Sequence, residues 1–357
     1  MLRVEAWRVE VPLLEPFRIS TGTSEKSRTL VIRLSTPDGL EGWGEACPSR
    51  SVLGESFESI VEEVRKLSEI NVEYTSLEKI HEYTWSLKVS SSLAAALNIA
   101  MLDLYAKSHG QALWKILGGY RESIETDISI GIMEPEEMAK RALHHVENGF
   151  RILKLKLGLE PEKDIERVRK VRDAVGEDVR IRVDANQGWS VEEAIHVIDR
   201  ISSYEVELVE QPTRWDNLEG LRLIKHESPI PIALDESVKT PQDALKAVEF
   251  EAADIINIKL MKTRGITGAL RVAYISESAG VKNMIGCYGE STLGITAHVH
   301  LAQAIRNIQF YDMDCDLLAA ERVFRGGASI EKGFRRVGSD PGLGSMFPEW
   351  GKLVKVL

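Results

Sequence analysis

The chain has 357 residues, 43% hydrophobic and 28% charged, with 45 basic against 55 acidic side chains and a net charge of −10. That balance excludes a disordered or collagen-like chain. An acidic chain without a basic stripe also points away from nucleic acid and from membrane surfaces. Cys47, Cys287 and Cys315 lie far apart with no Cys-x-x-Cys spacing, which argues against a disulfide framework or a zinc site. A reducing, cytoplasmic setting is expected. The first residues are studded with charge and hold no apolar stretch of the secretory kind, and no run approaches about 18 uncharged apolar residues.

In chain order, two β-rich stretches come first, Val4–Val11 and Thr29–Ser35, followed by Leu40–Glu45 after the Pro37–Gly39 turn. Their punctuation by turn residues predicts an antiparallel meander. Helical spacing follows over Ser56–Leu67, Leu77–Trp85 and Ser92–Ser108; in the last, Leu93, Leu97, Ala100, Met101 and Leu104 recur on one side. Gly118-Gly119 reads as a helix stop. Strands followed by helices predict an α+β unit over residues 1–123.

From about Ile124 the rhythm changes. Eight short apolar strands are predicted at Thr126–Ile130, Ile152–Leu157, Val179–Asp184, Glu207–Glu210, Ile230–Asp235, Ile255–Lys259, Lys282–Cys287 and Ile308–Asp312. Amphipathic helices such as Pro135–Asn148, Glu162–Val175 and Val191–Ser202 separate them. Strictly alternating strands and helices require parallel pairing through crossovers. Eight units predict an α/β fold of the (β/α)₈ barrel type over 124–320, rather than an open sheet. No Gly-x-Gly-x-x-Gly follows a strand. Residues 321–357, with Gly326-Gly327 and Pro341-Gly342-Leu343-Gly344, are expected to return to the N-terminal unit as loops and short strands.

The chemistry lies where the strands end. Lys154 and Lys156 end the second strand, Asp184 the third, Glu210 the fourth, Asp235 the fifth, Lys259 the sixth, and Asp312 and Asp314 the eighth. The steps from Lys156 to Asp184, Glu210, Asp235 and Lys259 are 28, 26, 25 and 24 residues, each one βα unit. Strand C-termini of such a barrel share one face, so the spacing converges these groups on one pocket. Taken singly, each is an ordinary loop residue or helix cap. Together, three acids flanked by lysine-bearing strands call for a cation, and an all-oxygen set favours Mg²⁺ over Zn²⁺. Such an ion would stabilise the enediolate formed when a proton leaves the carbon next to a substrate carboxylate. A lysine beside the cation can be neutral near pH 7. Lysines on the second and sixth strands stand on opposite sides of the barrel, which suits 1,1-proton transfer. A pyridoxal-type barrel racemase with a lysine Schiff base would not need three clustered acids; a non-catalytic barrel that binds Mg²⁺ through Asp184 without turnover is the other class.

LKLKLG (Lys154, Lys156), VDANQGW (Asp184), VEQP (Glu210), ALDES (Asp235) and INIKLMK (Lys259) resemble, in order and spacing, the muconate-lactonizing subgroup of the enolase superfamily. The resemblance covers nearly the whole chain. It implies an enolase-like barrel with an α+β capping domain, Asp184, Glu210 and Asp235 as Mg²⁺ ligands, Lys156 and Lys259 as the acid/base pair, and Lys154 as a carboxylate-stabilising group. FYDMDCDLL resembles the Asp-x-Asp motif of dipeptide epimerases, in which Asp312 and Asp314 would bind a substrate α-ammonium. GCYGESTLGI resembles the family's seventh-strand end and places Glu290 near the pocket; a capping role at the following helix is the other reading. Capping loops, here Phe17–Lys26 and Ser49–Phe57, would set specificity. Members acting on Ala-Glu carry an arginine in the first loop where this chain has Gly22, with Arg18 and Lys26 nearby, so a dipeptide with an apolar second residue is expected. The implied activity is epimerisation of the C-terminal residue of an L,L-dipeptide. N-acylamino acid racemase and muconate cycloisomerase or o-succinylbenzoate synthase activities are the alternatives, and a homo-oligomer is compatible with the sequence.

Overall fold

A computed structural model of the chain describes residues 1–357. Leu2–Ile19 and Gly22–Ser35 form a long antiparallel hairpin, to which Glu41–Ala46 adds a third strand. The hairpin is longer than expected. Its ladder shifts register between Pro12 and Phe17 and then resumes to a turn at Ser20 and Thr21, so Phe17–Lys26 is a strand pair rather than a loop. Pro12 and Pro16 break the apolar alternation there, and most side chains in this part face solvent. The tip is held by the barrel instead. Ser20 Oγ donates to the Asn186 carbonyl at 2.8 Å, and the Ile132 amide donates to the Arg18 carbonyl at 2.8 Å.

The helix Ser91–Ser108 lies under the third strand and is buried on nearly all sides. The close approach requires glycine. A Cβ on Gly42 would lie 2.1 Å from the Ala100 carbonyl oxygen, and one on Gly44 2.0 Å from that of Ala96. Asp103 on this helix accepts from the Trp43 and Leu343 amides, joining the third strand to the C-terminal segment.

Eight parallel strands form the second sheet: Ile128–Ile130, Ile152–Lys156, Arg180–Asp184, Val206–Glu210, Ile232–Leu234, Ile255–Ile258, Lys282–Gly286 and Ile308–Asp312. Each pairs with the next, in chain order. The intervening helices begin where the sequence marks them, with Pro135, Pro161 and Pro241 in their first turns, where a missing N–H costs nothing. The fold is therefore an eight-strand parallel barrel sheet with a separate antiparallel cap, as expected.

The first and eighth barrel strands share no ladder. Individual bonds close the seam between them. The Asp127 amide donates to the Tyr311 carbonyl (3.2 Å), the Met313 amide to Thr126 Oγ1 (2.8 Å), and the Ser129 amide to Asp314 Oδ2 (2.5 Å). In the C-terminal segment, Val354–Lys355 pairs with the first strand of the cap, and Phe334–Arg336 with Ser329–Glu331 and Ile124–Glu125. No helix is long and apolar enough to cross a membrane.

Candidate active site

Register places the charged groups. Lys156 pairs with Asp184, and Asp184 with Glu210, so three neighbouring strands present them at one level. Asp235 and Lys259 sit just past the ends of their strands, and Asp312 ends the eighth. Lys154 points inward one pleat below Lys156. Its ammonium lies 2.6 Å from Glu210 Oε2, 2.6 Å from Asp312 Oδ2 and 3.3 Å from Asp184 Oδ2. Lys156 Nζ is 2.6 Å from Asp184 Oδ2, and Lys259 Nζ is 2.9 Å from Asp235 Oδ2. All of these side chains are buried.

Several partners were not singled out from sequence. Lys262, the second lysine of INIKLMK, donates to Asp235 Oδ1 at 2.5 Å and also to the Asp235 and Asn257 carbonyls. Asn257 donates to Glu210 Oε1, and Asn186 to Glu236 Oε1. Asp127 stands behind the Asp-x-Asp motif. Its Oδ2 accepts from Arg182, and its carboxylate lies within 4.8 Å of those of Asp312 and Asp314. Lys154 pairs with Asp312 and Arg182 with Asp127, so two of the three acids in this trio already have a cationic partner.

Electrostatics sort these carboxyls. Burial alone would raise Asp312, but Lys154 and the other lysines outweigh it and bring it down to about 2. Burial and the neighbouring Asp312 charge push Asp314 up to about 6. Burial disfavours the Lys259 ammonium, yet the Asp235 carboxylate overrides this and holds it well above the usual lysine range. Lys154 behaves likewise under Asp312 and Glu210. The expected neutral lysine therefore requires other positive charge on those carboxylates.

The donor set suits Mg²⁺. Six buried carboxylates (Asp184, Glu210, Asp235, Glu236, Asp312, Asp314) face four buried lysine ammonium groups, so full ionisation leaves two negative charges over. Around the strand ends, Asn186 Oδ1, Glu236 Oε2 and Asn257 Oδ1 have no hydrogen-bond partner, and Glu210 Oε2 touches Lys154 without hydrogen-bond alignment. Buried oxygens in that condition are destabilising unless a cation or water meets them. All are hard ligands.

Two of the expected residues stand apart from the lysine–carboxylate network. Gly22 lies at the exposed hairpin turn, where a Cβ would meet nothing within 4 Å. Glu290 Oε2 accepts from the Tyr288 amide at 2.7 Å, and the side chain faces Cys315 and His298. The cap of the helix Thr292–Ala304 is Ser291, supported by Glu45 from the third cap strand, which accepts from the Ser291 and Gly294 amides.

Two family models match this chain. The "mandelate racemase / muconate lactonizing enzyme, N-terminal domain" model matches residues 2–118, and the "enolase C-terminal domain-like" model matches residues 137–349. The chain belongs to the mandelate racemase/muconate lactonizing enzyme family. Among family members, the L-Ala-D/L-Glu epimerase of Bacillus subtilis is 37% identical over 351 residues, 96% of either chain. The hydrophobic dipeptide epimerase of Enterococcus faecalis is 39% identical, covering 94% of this chain and 96% of that one. The dipeptide epimerase of Enterococcus faecalis with Mg and L-Leu-L-Tyr superposes with a TM-score of 0.93 at 38% identity, over 96% of this chain and 98% of that one. That of Cytophaga hutchinsonii with Mg and D-Ala-L-Val gives a TM-score of 0.94 at 34% identity, over 99% and 98%.

Proposed function

We propose that this protein is a Mg²⁺-dependent dipeptide epimerase, an isomerase that inverts the α-carbon of the C-terminal residue of an L,L-dipeptide by two-base 1,1-proton transfer. The observation that carries this is the placement of Lys156 and Lys259 on opposed strands, flanking three carboxylates, with the Asp312–Asp314 pair beside them. Asp184, Glu210 and Asp235 would hold the ion, whose chemical contribution is to stabilise negative charge on the substrate carboxylate. Lys156 and Lys259 exchange the α-proton from opposite faces of the planar intermediate. Asp184 Oδ2 and Asp235 Oδ2 now bond these same lysines, so turning either oxygen to other positive charge frees an amine to act as base. Lys154 keeps the acids together. Asp312, ionised throughout the neutral range, and Asp314 receive the α-ammonium, and they would repel a second carboxylate there.

The relatives named L-Ala-D/L-Glu epimerase and hydrophobic dipeptide epimerase, matched over nearly their whole length, support this reading. Incubation with Mg²⁺ and a dipeptide panel in D₂O tests it. Deuterium is expected at the α-carbon of the C-terminal residue, and no incorporation on any dipeptide would overturn it. N-acylamino acid racemisation is separated by Asp312→Asn with Asp314→Asn, which should abolish dipeptide turnover and spare substrates lacking the ammonium.

We further infer an apolar second residue. Gly22 offers no side chain, and Lys26 is engaged by Glu10 at 2.6 Å. Arg18 is the remaining cation near the tip. Arg18→Ala should leave turnover of dipeptides such as Leu-Leu within about threefold; a specific loss with Ala-Glu would instead assign Arg18 to a side-chain carboxylate. In this scheme residues 1–123 and 321–357 act together as the cap, and 124–320 as the catalytic barrel.

A further inference from the structure

The three cysteines, spread over most of the sequence, end near one another. Cys287 follows the seventh barrel strand and Cys315 follows the Asp-x-Asp motif. The sulfurs of Cys287 and Cys315 and a carboxylate oxygen of Glu290 all lie within 4.8 Å of one another, and all three residues are buried. We propose that Cys287, Cys315 and Glu290 form a binding site for one soft divalent ion of the zinc and cadmium class, separate from the Asp184–Glu210–Asp235 set.

The geometry is close to what such an ion demands. Bonds of about 2.3 Å to sulfur and about 2.1 Å to oxygen in a tetrahedron separate the donor atoms by roughly 3.5–3.8 Å. Cys315 Sγ and Glu290 Oε2 are already 3.7 Å apart.

A second, independent observation points to a missing cation. Glu290 Oε1 and His298 Nε2 are both buried and both without a hydrogen-bond partner, 3.9 Å from each other. His298 Nδ1 is 2.8 Å from the Gly294 carbonyl, which only accepts, so Nδ1 carries the proton and Nε2 is a bare lone pair. Two acceptors thus face each other with no donor between them. Positive charge on Glu290 relieves that arrangement, and a histidine fixed through its other nitrogen by a carbonyl is the usual companion of a metal site.

Ligand type separates this site from the first. Two sulfurs and one carboxylate favour a soft ion, whereas the all-oxygen set favours Mg²⁺. Binding exchanges two thiol protons for two metal–sulfur bonds, and both protons leave to solvent. The site also adjoins the proposed ammonium pocket, because Cys287 Sγ lies 3.9 Å from Asp314 Oδ1. An ion held there should raise the KM for dipeptides.

The test is direct binding. The full-length protein, reduced, stripped with chelator and returned to excess Mg²⁺, is titrated with Cd²⁺ while the thiolate-to-cadmium charge-transfer absorption is followed. Cadmium on the oxygen set gives no such band. Saturation at one equivalent is expected, with affinity falling at least about tenfold in Cys287→Ser and in Cys315→Ser. Cys47→Ser should keep the band, since Cys47 is not among the three donors. Absence of the band in wild-type protein whose thiols are verified as free would overturn the proposal. So would a band of equal strength in both serine variants. A Cys287–Cys315 disulfide found by mass spectrometry before reduction, with no Cd²⁺ uptake afterwards, would also overturn it and make the pair a redox couple instead.

Discussion

Lys154 touches acids from three strands, Asp184, Glu210 and Asp312, through one ammonium. Removing one partner of a buried ion pair leaves uncompensated charge, which typically costs about 3–5 kcal/mol. Lys154→Met should therefore lower unfolding stability by about that much in chemical denaturation, and Mg²⁺ should restore part of it. For the chemistry itself, Lys156→Ala and Lys259→Ala should each reduce epimerisation by about 10²–10⁴-fold, the usual contribution of a positioned acid or base. Each variant should still exchange the α-proton with solvent on one substrate enantiomer. Exchange on both enantiomers in either variant would show that the two lysines do not divide the faces. Lys156, Asp184, Glu210, Asp235 and Lys259 were legible because each stands at a strand end, so a step of 24 to 28 residues betrays them. Lys262 and Asn186 were not, since they lie in turns where polar residues are ordinary, and Asn257 was not, since it is a single polar residue within an apolar strand. The proximity of Cys287 and Cys315 was not legible either, because separation along the chain says nothing about distance across a barrel.

At the scale of elements, Glu45 shows why contacts between units escape sequence reading. It belongs to the third cap strand yet serves the N-terminus of the helix Thr292–Ala304, 246 residues later. A carboxylate there meets unpaired amides and the positive end of the helix dipole. Glu45→Ala should destabilise the protein by about 1–3 kcal/mol, the desolvation penalty of the orphaned donors. The same helix carries His300, whose Nδ1 accepts from the Trp114 amide at 3.1 Å and which burial pushes down to about 4. A depressed folded pKa means that the unfolded chain takes up the proton first. This contribution to stability is present above the unfolded value, about 6.5, and is lost as pH falls toward 4. Stability measured across that window should decline by up to about 3 kcal/mol from this residue, and His300→Gln should flatten the slope. The buried helix Ser91–Ser108 was recognisable from its apolar spacing. The hairpin tip was not, because no core lies beneath Pro12–Ile19 to impose a pattern.

Across the whole molecule, the eight-strand rhythm was readable because short apolar runs alternate with amphipathic helices, and six of the eight runs close on a charged residue. The seam was not readable, because it consists of three separate bonds rather than a ladder. That seam makes the barrel a split ring, and one of its clasps is Asp314, the carboxylate proposed to grip the substrate. A dipeptide that binds Asp314 only while its seam bond is made should hold the seam closed, in proportion to its concentration over Kd. Hydrogen exchange at the Ser129 and Met313 amides should slow when a dipeptide binds, more than at amides of the outer helices. The gap in the sheet would thus serve as a built-in reporter of whether the enzyme is loaded.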